Sequence, residues 1–170
     1  MLKTIKLNKK EKYAIVDKED YSELSKYNWG LDATSWKEYA RVALPNYGKK
    51  IRMHQLIIGN IPSGYVIDHK DGNGLNNSKS NLRIVTKNIN GLNSNKRKNY
   101  YFDNSSRKYD VWVSYRINNK REKIFGGSFS DENEAKIQST HLKSSLINKL
   151  LPIYEYKDHV FYKEIKKWAE

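Results

Sequence analysis

The sequence of 170 residues has no cysteine and no long apolar run, and both absences exclude classes of protein. Without cysteine there is no disulfide framework, and a zinc site would need histidine and carboxylates alone. No segment approaches the ~20 apolar residues of a membrane-spanning helix. Residues 1–7 alternate polar and apolar side chains, without the apolar centre of a signal peptide. We therefore expect a cytoplasmic protein with no membrane partner.

Acidic residues are also scarce relative to basic ones. The 32 Lys and Arg outnumber the 19 Asp and Glu, which gives a formal net charge of +13. Such an excess repels itself in the folded state and is typical of proteins that bind a polyanion, here nucleic acid rather than a membrane. Because 38% of the residues are hydrophobic and 12% are aromatic, the composition favours a folded protein over a disordered one.

Short strands and helices are expected in residues 1–60. Asp20, with Glu23 three residues later, resembles a capping box at the start of a helix that runs to about Tyr27. The other expected elements are strands over residues 13–16 and 39–44, the second ended by Pro45, and a helix over residues 53–58, closed by Gly59.

The pattern of residues 65–95 predicts a strand, a polar loop, a strand and a helix, in that order. The first strand leads directly into Asp68 and His69, and residues 70–80 are almost all polar. The later elements are a strand over residues 82–85 and a helix over residues 87–95, with Thr86 at its N-cap.

An ordered set of residues runs through this segment and the helix before it. In chain order the set is Met53-His54-Gln55-Leu56, Tyr65 through Asn73, Asn76-Asn77, Asn81-Leu82-Arg83, Thr86, Asn90 and Asn93. It resembles the HNH nucleases, especially the phage and intron-encoded homing type. A lone Asp-His pair carries little information, but an ordered set of this length rarely arises by chance. The resemblance implies a small ββα-metal core that hydrolyses phosphodiester bonds of DNA.

The resemblance assigns His69 the role of general base and makes Asp68 and Asn90 the metal ligands. A neutral histidine can accept a proton from water near pH 7. Carboxylate and amide oxygens suit one divalent cation, Mg²⁺ or alternatively Mn²⁺, and not zinc. Many family members carry histidine where this chain has Asn90. The resemblance also implies that the Asn81 side chain holds the loop and orients the histidine.

Three neighbouring polar residues have structural interpretations. His54 lies at helical spacing from apolar residues, so it is expected to be structural rather than catalytic. Asp71 is expected to cap its own turn rather than bind metal. Arg83 either contacts a phosphate or forms a salt bridge that holds the loop, and the sequence leaves both open.

The last part of the chain alternates aromatic, polar and apolar residues. Its ordered residues are Tyr101-Phe102-Asp103, Arg107 through Ile117, Gly126-Gly127-Ser128-Phe129 and Glu134-Ala135. They resemble the three-stranded DNA-binding domain of plant ethylene-response factors, which also occurs behind HNH modules. The expected elements are strands over residues 110–117 and 121–125, the latter broken by Gly126-Gly127, a helix from Ser130 or Asp131 to Leu151, stopped by Pro152, and a short helix over residues 158–168.

A period of two predicts the faces of the strand over residues 110–117. One face carries Trp112, Ser114 and Arg116; the other carries Val111, Val113, Tyr115 and Ile117 and is expected to pack on the helix. The polar face is expected to enter the DNA major groove, with an ordinary solvated face as the alternative. The expected DNA contacts are Arg107, Trp112, Arg116, Arg121 and Lys123, with Lys96 and Arg97 from a basic linker.

We therefore expect an α+β protein with four parts. Residues 1–95 hold the N-terminal strands and the nuclease core, 96–99 the linker, 100–152 a three-stranded antiparallel sheet packed on one helix, and 153–170 a short helix. The expected function is a metal-dependent, site-selective homing or phage-encoded endonuclease of double-stranded DNA, monomer or homodimer, in a bacterial or phage-infected cell. An HNH restriction endonuclease and a non-cleaving DNA-binding regulator on a nuclease-derived fold are the alternatives.

Overall fold

The computed structural model describes residues 1–8, 11–34, 37–44, 50–94, 97–117 and 120–156. It confirms the α+β class, with several small sheets and few helices. The chain divides into two compact units: Met1–Val85, joined by Tyr156, and Thr86–Glu155. Within the described ranges, no helix is long and apolar enough to cross a membrane.

The described residues of the first unit form three small sheets and two helices. Strands β1 and β2 form an antiparallel pair, β3, β4 and β5 form an antiparallel sheet in that order, and β6 pairs with β7. The strands are β1 Leu2–Lys6, β2 Tyr13–Asp17, β3 Gly30–Ala33, β4 Glu38–Ala43, β5 Lys50–Arg52, β6 Tyr65–His69 and β7 Leu82–Thr86; the helices are α1 Lys18–Leu24 and α2 Met53–Ile58. The elements expected over residues 13–16, 39–44, 53–58, 65–67 and 82–85 are thus confirmed.

One apolar core holds this unit together. Alternation in β2 buries Ala14 and Val16 while Tyr13 stays exposed, and α2 is buried along almost its whole length. Trp29 is fully buried and donates a hydrogen bond from Nε1 to the carbonyl of Leu24, 2.7 Å away. Each large apolar side chain buried here contributes about 1.5–3 kcal/mol of transfer free energy.

Helix α1 corrects one expectation. It begins at Lys18 with Asp17 at the N-cap and ends at Leu24, so the capping box of Asp20 and Glu23 is wrong. Asp20 lies buried inside the helix, and its carboxylate accepts a hydrogen bond from Lys79 Nζ at 3.0 Å. The local sequence suggested that Asp20 caps a helix, because Lys79, which in fact pairs with it, is remote along the chain and cannot be found from local spacing.

The second unit is an antiparallel sheet covered by a long helix. Its elements are α3 Lys87–Leu92, β8 Tyr100–Asp103, β9 Lys108–Ile117, β10 Lys120–Phe129 and α4 Glu132–Tyr154, with strand order β10-β9-β8. Val111 and Val113 are fully buried and α4 packs on β9, whereas Trp112 and Ser114 are partly exposed and Arg116 is exposed, as the alternation predicted. Tyr115 and Ile117, which were expected on the buried face, are only partly buried. Gly126 allows this packing: a Cβ there would lie 2.8 Å from Val111 Cγ1 and 2.9 Å from Leu142 Cδ2.

Two predicted ends in this unit are wrong. Strand β10 continues through Gly126-Gly127, because a bulge between Phe125 and Gly127 absorbs the irregularity. Helix α4 continues past Pro152 to Tyr154, since a proline in the last turn removes only one hydrogen bond. The predicted N-cap at Asp131 is confirmed, with its side chain accepting from the Glu134 N–H at 3.0 Å.

Other expectations are corrected in part or lie outside the described residues. Helix α3 ends at Leu92 rather than residue 95, and Thr86 occupies its N-cap without a side-chain capping bond. Pro45, Lys96 and the helix predicted over residues 158–168 fall outside the described ranges.

Candidate active site

The end of β6 places two polar residues side by side in the interior. Asp68 is 2% exposed and His69 is 3% exposed. The chain then leaves the sheet through a polar loop, residues 70–81, and returns at β7. The N–H of Lys70 donates to the carbonyl of Asn81 at 2.9 Å and so closes the loop at its base.

Asp71 and Asn81 organise the inside of this loop. The Asp71 carboxylate accepts from the Asn73 N–H at 2.8 Å, from Asn76 Nδ2 at 2.8 Å and from Asn81 Nδ2 at 2.9 Å. Burial raises the pKa of Asp71, but these hydrogen bonds outweigh it and hold that pKa below its usual value. Asp71 therefore caps the turn, as predicted. Asn81 also accepts from the Asp71 N–H at 3.1 Å and donates to the Asn76 carbonyl at 2.8 Å, so its side chain holds the loop.

Strand β2 anchors the loop from outside. The Ile15 N–H donates to the Leu75 carbonyl, and the Asn77 N–H donates to the Ile15 carbonyl, both at 2.8 Å. The Lys79 N–H donates to the Asp17 carboxylate at 2.7 Å. The loop is therefore fixed by backbone bonds to a strand far away in sequence.

Gly74 lets the loop pack against β4. A Cβ at this position would lie 2.4 Å from the carbonyl oxygen of Glu38 and 2.5 Å from the ring of Tyr39. Side chains do not fit at such distances, so only glycine allows this close approach.

Asn77 sets the orientation and tautomer of the His69 ring. Its Nδ2 donates to the Leu75 carbonyl at 3.1 Å, so Oδ1 is the atom that faces His69 Nε2, 3.4 Å away. An amide oxygen only accepts, so this contact favours the tautomer with the ring hydrogen on Nε2, in which Nδ1 is the basic nitrogen. The sequence motif included Asn77 but gave it no role.

His54 lies directly beside His69. The two rings meet edge to face with centroids 4.9 Å apart, and His54 also contacts the Tyr39 ring at 5.4 Å. Burial, followed by the nearby His69, Arg52 and Lys37, lowers the pKa of His54 to about 3, so it stays neutral. Helical spacing predicted a structural residue, and spacing alone could not reveal this neighbour.

Burial also shifts the pKa of His69. Burial lowers it, while the hydrogen bond with Asn77 and the charges of Asp68 and Asp71 oppose the shift only in part. The ring is therefore neutral near pH 7, which is the form that a general base needs.

Arg83 forms the salt bridge that the sequence had left as one of two possibilities. Its Nε and Nη2 approach Asp68 Oδ2 at 2.9 and 2.7 Å, and both side chains are buried. Asn90 is partly buried on α3, in the second unit. Across the described residues, no group of three His, Cys, Asp or Glu side chains could hold a metal ion. Asp68 offers a carboxylate and Asn90 an amide, and both are oxygen ligands of the kind that a hard divalent cation prefers.

The predicted DNA-binding residues lie at different places in the second unit. Arg107 is exposed in the β8–β9 turn with a φ of 54°, and Trp112 contacts Phe125 with ring centroids 4.8 Å apart and the ring planes tilted by 43°. Arg116 lies opposite Arg121 in the β9–β10 register, and Lys123 lies opposite Ser114; Arg97 precedes β8 and is exposed. Lys96 is outside the described residues.

Comparison with known proteins gives a family match for the segment that contains the polar loop. Residues 47–92 match the HNH_3 family of HNH endonucleases. An uncharacterised HNH endonuclease of Acanthamoeba polyphaga mimivirus is 32% identical over 92 residues, which cover 51% of this chain and 46% of that relative. This chain thus spans less than half the length of that relative, and no solved structure gives a significant match. These matches leave the ethylene-response-factor resemblance a prediction. Residues 47–92 are therefore similar to HNH endonuclease domains.

Proposed function

We propose that the protein is a metal-dependent endonuclease of double-stranded DNA, with His69 as the general base. The observation that carries this proposal is the His69 ring at the end of β6. It is buried, neutral and held by Asn77 so that Nδ1 is the basic nitrogen. A ring prepared in this way, inside an HNH endonuclease domain, suits the removal of a proton from water.

In the proposed reaction, Nδ1 of His69 accepts a proton from a water molecule, whose oxygen attacks the phosphorus and displaces a sugar oxygen. Asp68 and Asn90 would hold one Mg²⁺ or Mn²⁺, which neutralises charge on the phosphate and the leaving oxygen when bound. Arg83 holds the Asp68 carboxylate in place, and Asn81 holds the loop that carries the site. The Arg83–Asp68 ion pair supports a positioning role for Arg83 rather than a phosphate contact.

Site choice would come from the second unit. Its three-stranded sheet presents Trp112, Arg116, Arg121 and Lys123 on the face away from α4. Arg97 borders the same recess as Arg116 and Arg121, and Arg107 lies exposed in the β8–β9 turn. A ribbon of this kind enters a DNA major groove. We propose a homing or phage-encoded role for such an enzyme. A restriction endonuclease would cut DNA by the same chemistry. One active site per chain would give a nick from a monomer and a double-strand cut from a homodimer.

A plasmid assay tests the enzyme and its metal together. Supercoiled DNA is incubated with the protein in Mg²⁺, in Mn²⁺ and in chelator, and nicked and linear products are counted. Asp68→Ala and Asn90→Ala should need more metal, Asp68→Ala the more so because it removes a full charge. His141→Ala, an exposed residue of α4, is the control. Undiminished cutting in chelator would refute the metal role, and no cutting under any condition would favour the non-cleaving regulator.

A further inference from the structure

A basic groove of about 480 Å³ lies wholly within the second unit. Helix α3, the segment before β8, and the ends of β9 and β10 line it. Four cationic side chains reach it: Lys87, Arg97, Arg116 and Arg121. Asn88 and Asn99 add side-chain amides, and none of the described residues contributes a carboxylate to the lining.

The charges in this groove are not compensated by the described protein. Arg116 and Arg121 lie directly opposite each other on neighbouring antiparallel strands, a pairing of like charges that disfavours folding. In the part of the chain that the structure describes, no Asp or Glu forms an ion pair with either arginine, with Arg97 or with Lys87. An anion in the groove would relieve this repulsion.

The shape of the groove favours a phosphate over a base edge. Side chains that read base edges must project outward into the major groove, which is deep. Here Arg116 and Arg121 line a recess together with Lys87 from a helix. A ligand can therefore reach these side chains only with a group that protrudes into the recess. The phosphates are the protruding anionic groups of a DNA strand, and arginine binds them through paired N–H donors.

We propose that this groove holds a backbone phosphate of DNA, so that Arg116 and Arg121 position the strand and do not read sequence. The inference rests on the proposed DNA substrate, and it adds Lys87 and Asn88 of α3 to the DNA-binding surface. Base reading then falls to residues of the same sheet face outside the groove, such as Trp112 and Lys123.

Binding is measured by fluorescence anisotropy with several unrelated labelled duplexes, in chelator so that no cleavage occurs. The double variant Arg116→Gln/Arg121→Gln should raise Kd at least about tenfold, by the same factor for every duplex. The slope of log Kd against log salt should fall by about one. Lys87→Gln should act in the same direction. Lys136→Gln/Lys149→Gln, which removes two charges from exposed positions of α4, should leave Kd within about twofold.

Thermal unfolding separates binding from folding. The double arginine variant should melt no lower than the wild type, since it removes a like-charge pair. An unchanged Kd, or a loss that differs between duplexes, would overturn the phosphate assignment. Stabilisation of the wild type by inorganic phosphate as strong as that by DNA would assign the groove to a free ion. Loss of poly-glutamate binding with DNA binding intact would assign it to an acidic protein segment.

Plasmid cleavage by the same preparations keeps the two proposals apart. If the wild type cuts and the double arginine variant binds DNA normally, the groove assignment fails and the endonuclease stands. If the wild type never cuts but the variant loses DNA affinity, the endonuclease fails and the groove stands.

Discussion

Arg83 in the first unit and Arg116 in the second both project from a strand, but their surroundings differ. Arg83 is buried, and two of its N–H groups contact Asp68 Oδ2 at 2.9 and 2.7 Å. Arg116 is exposed, faces Arg121 across the strand pair, and has no carboxylate partner within the described ranges. Arginine therefore neutralises a buried carboxylate of the protein in the first unit, whereas in the second unit its positive charge is not neutralised by a carboxylate of the described residues.

Other arginines divide in the same way. Arg41 and Arg52 in the first unit both pair with Asp32, at 3.5 and 3.0 Å. Arg97 and Arg121 in the second unit line the open groove. A buried pair is expensive to break, whereas an exposed unpaired cation contributes little to folding and is available to a ligand. Substitutions in the first unit should therefore change stability or chemistry, and those in the second should change binding.

The largest expected effect separates chemistry from binding. His69→Ala should lower the cleavage rate ~10²–10⁴-fold, because a general base contributes to the barrier and little to affinity. Single-turnover cleavage and anisotropy on the same protein check this. A Kd raised as much as the rate falls would mean that the first unit also supplies DNA affinity, and the contrast between the units would break.

The next test compares the two arginines directly. Arg83→Ala leaves the Asp68 carboxylate buried without its guanidinium partner and should lower the free energy of unfolding by about 3–5 kcal/mol. Arg116→Ala should change it by less than about 0.5 kcal/mol. Urea unfolding at constant m-value measures both. Equal losses would show that Arg116 has a structural partner after all.

Acid sensitivity should be specific to the first unit. His54 has a pKa of about 3 when folded and near 6.5 when unfolded, so protons bind the unfolded chain preferentially. Stability should be intact above pH 6.5 and fall by up to ~1.4 kcal/mol per pH unit as the pH drops from there towards 3. His54→Phe should flatten that slope in urea titrations, while His141→Phe on exposed α4 should not. An identical slope in both would exclude His54 as the cause.

Two glycines give the smallest effects, of opposite sign. Gly74→Ala should cost about 1–3 kcal/mol, because the new methyl group would overlap Glu38 and Tyr39. Gly91→Ala in α3 meets nothing within 4 Å and should stabilise the protein by about 0.5–1 kcal/mol. Melting temperatures of the two variants check the signs. A loss at Gly91 would mean that the groove side of α3 is more tightly packed than its surroundings indicate.

Periodic and local signals predicted much of this fold. The alternation in β9 gave its buried and exposed faces, and the Asp68-His69 pair was found because the motif around it is ordered in sequence. Contacts between remote segments could not be predicted. The partner of Asp20 is Lys79, and the neighbour of His69 is His54 on another element; neither follows from spacing. Pro152 shows the opposite kind of error. The rule that proline ends a helix predicted a stop there, but the helix continues for two more residues despite the lost hydrogen bond.

The bonds between β2 and the polar loop also determine what must fold together. Lys79 and Asp17, which pair there, are 62 residues apart in the chain, so the active loop depends on a contact of high sequence separation. During synthesis β2 is made before the loop. The backbone N–H and carbonyl of Ile15 in β2 can form their hydrogen bonds with Leu75 and Asn77 only after the loop has been made. A peptide of residues 47–92 would contain Asp68 and His69 but no Ile15 to pair with the loop. The cooperative folding unit is thus larger than the motif that it carries.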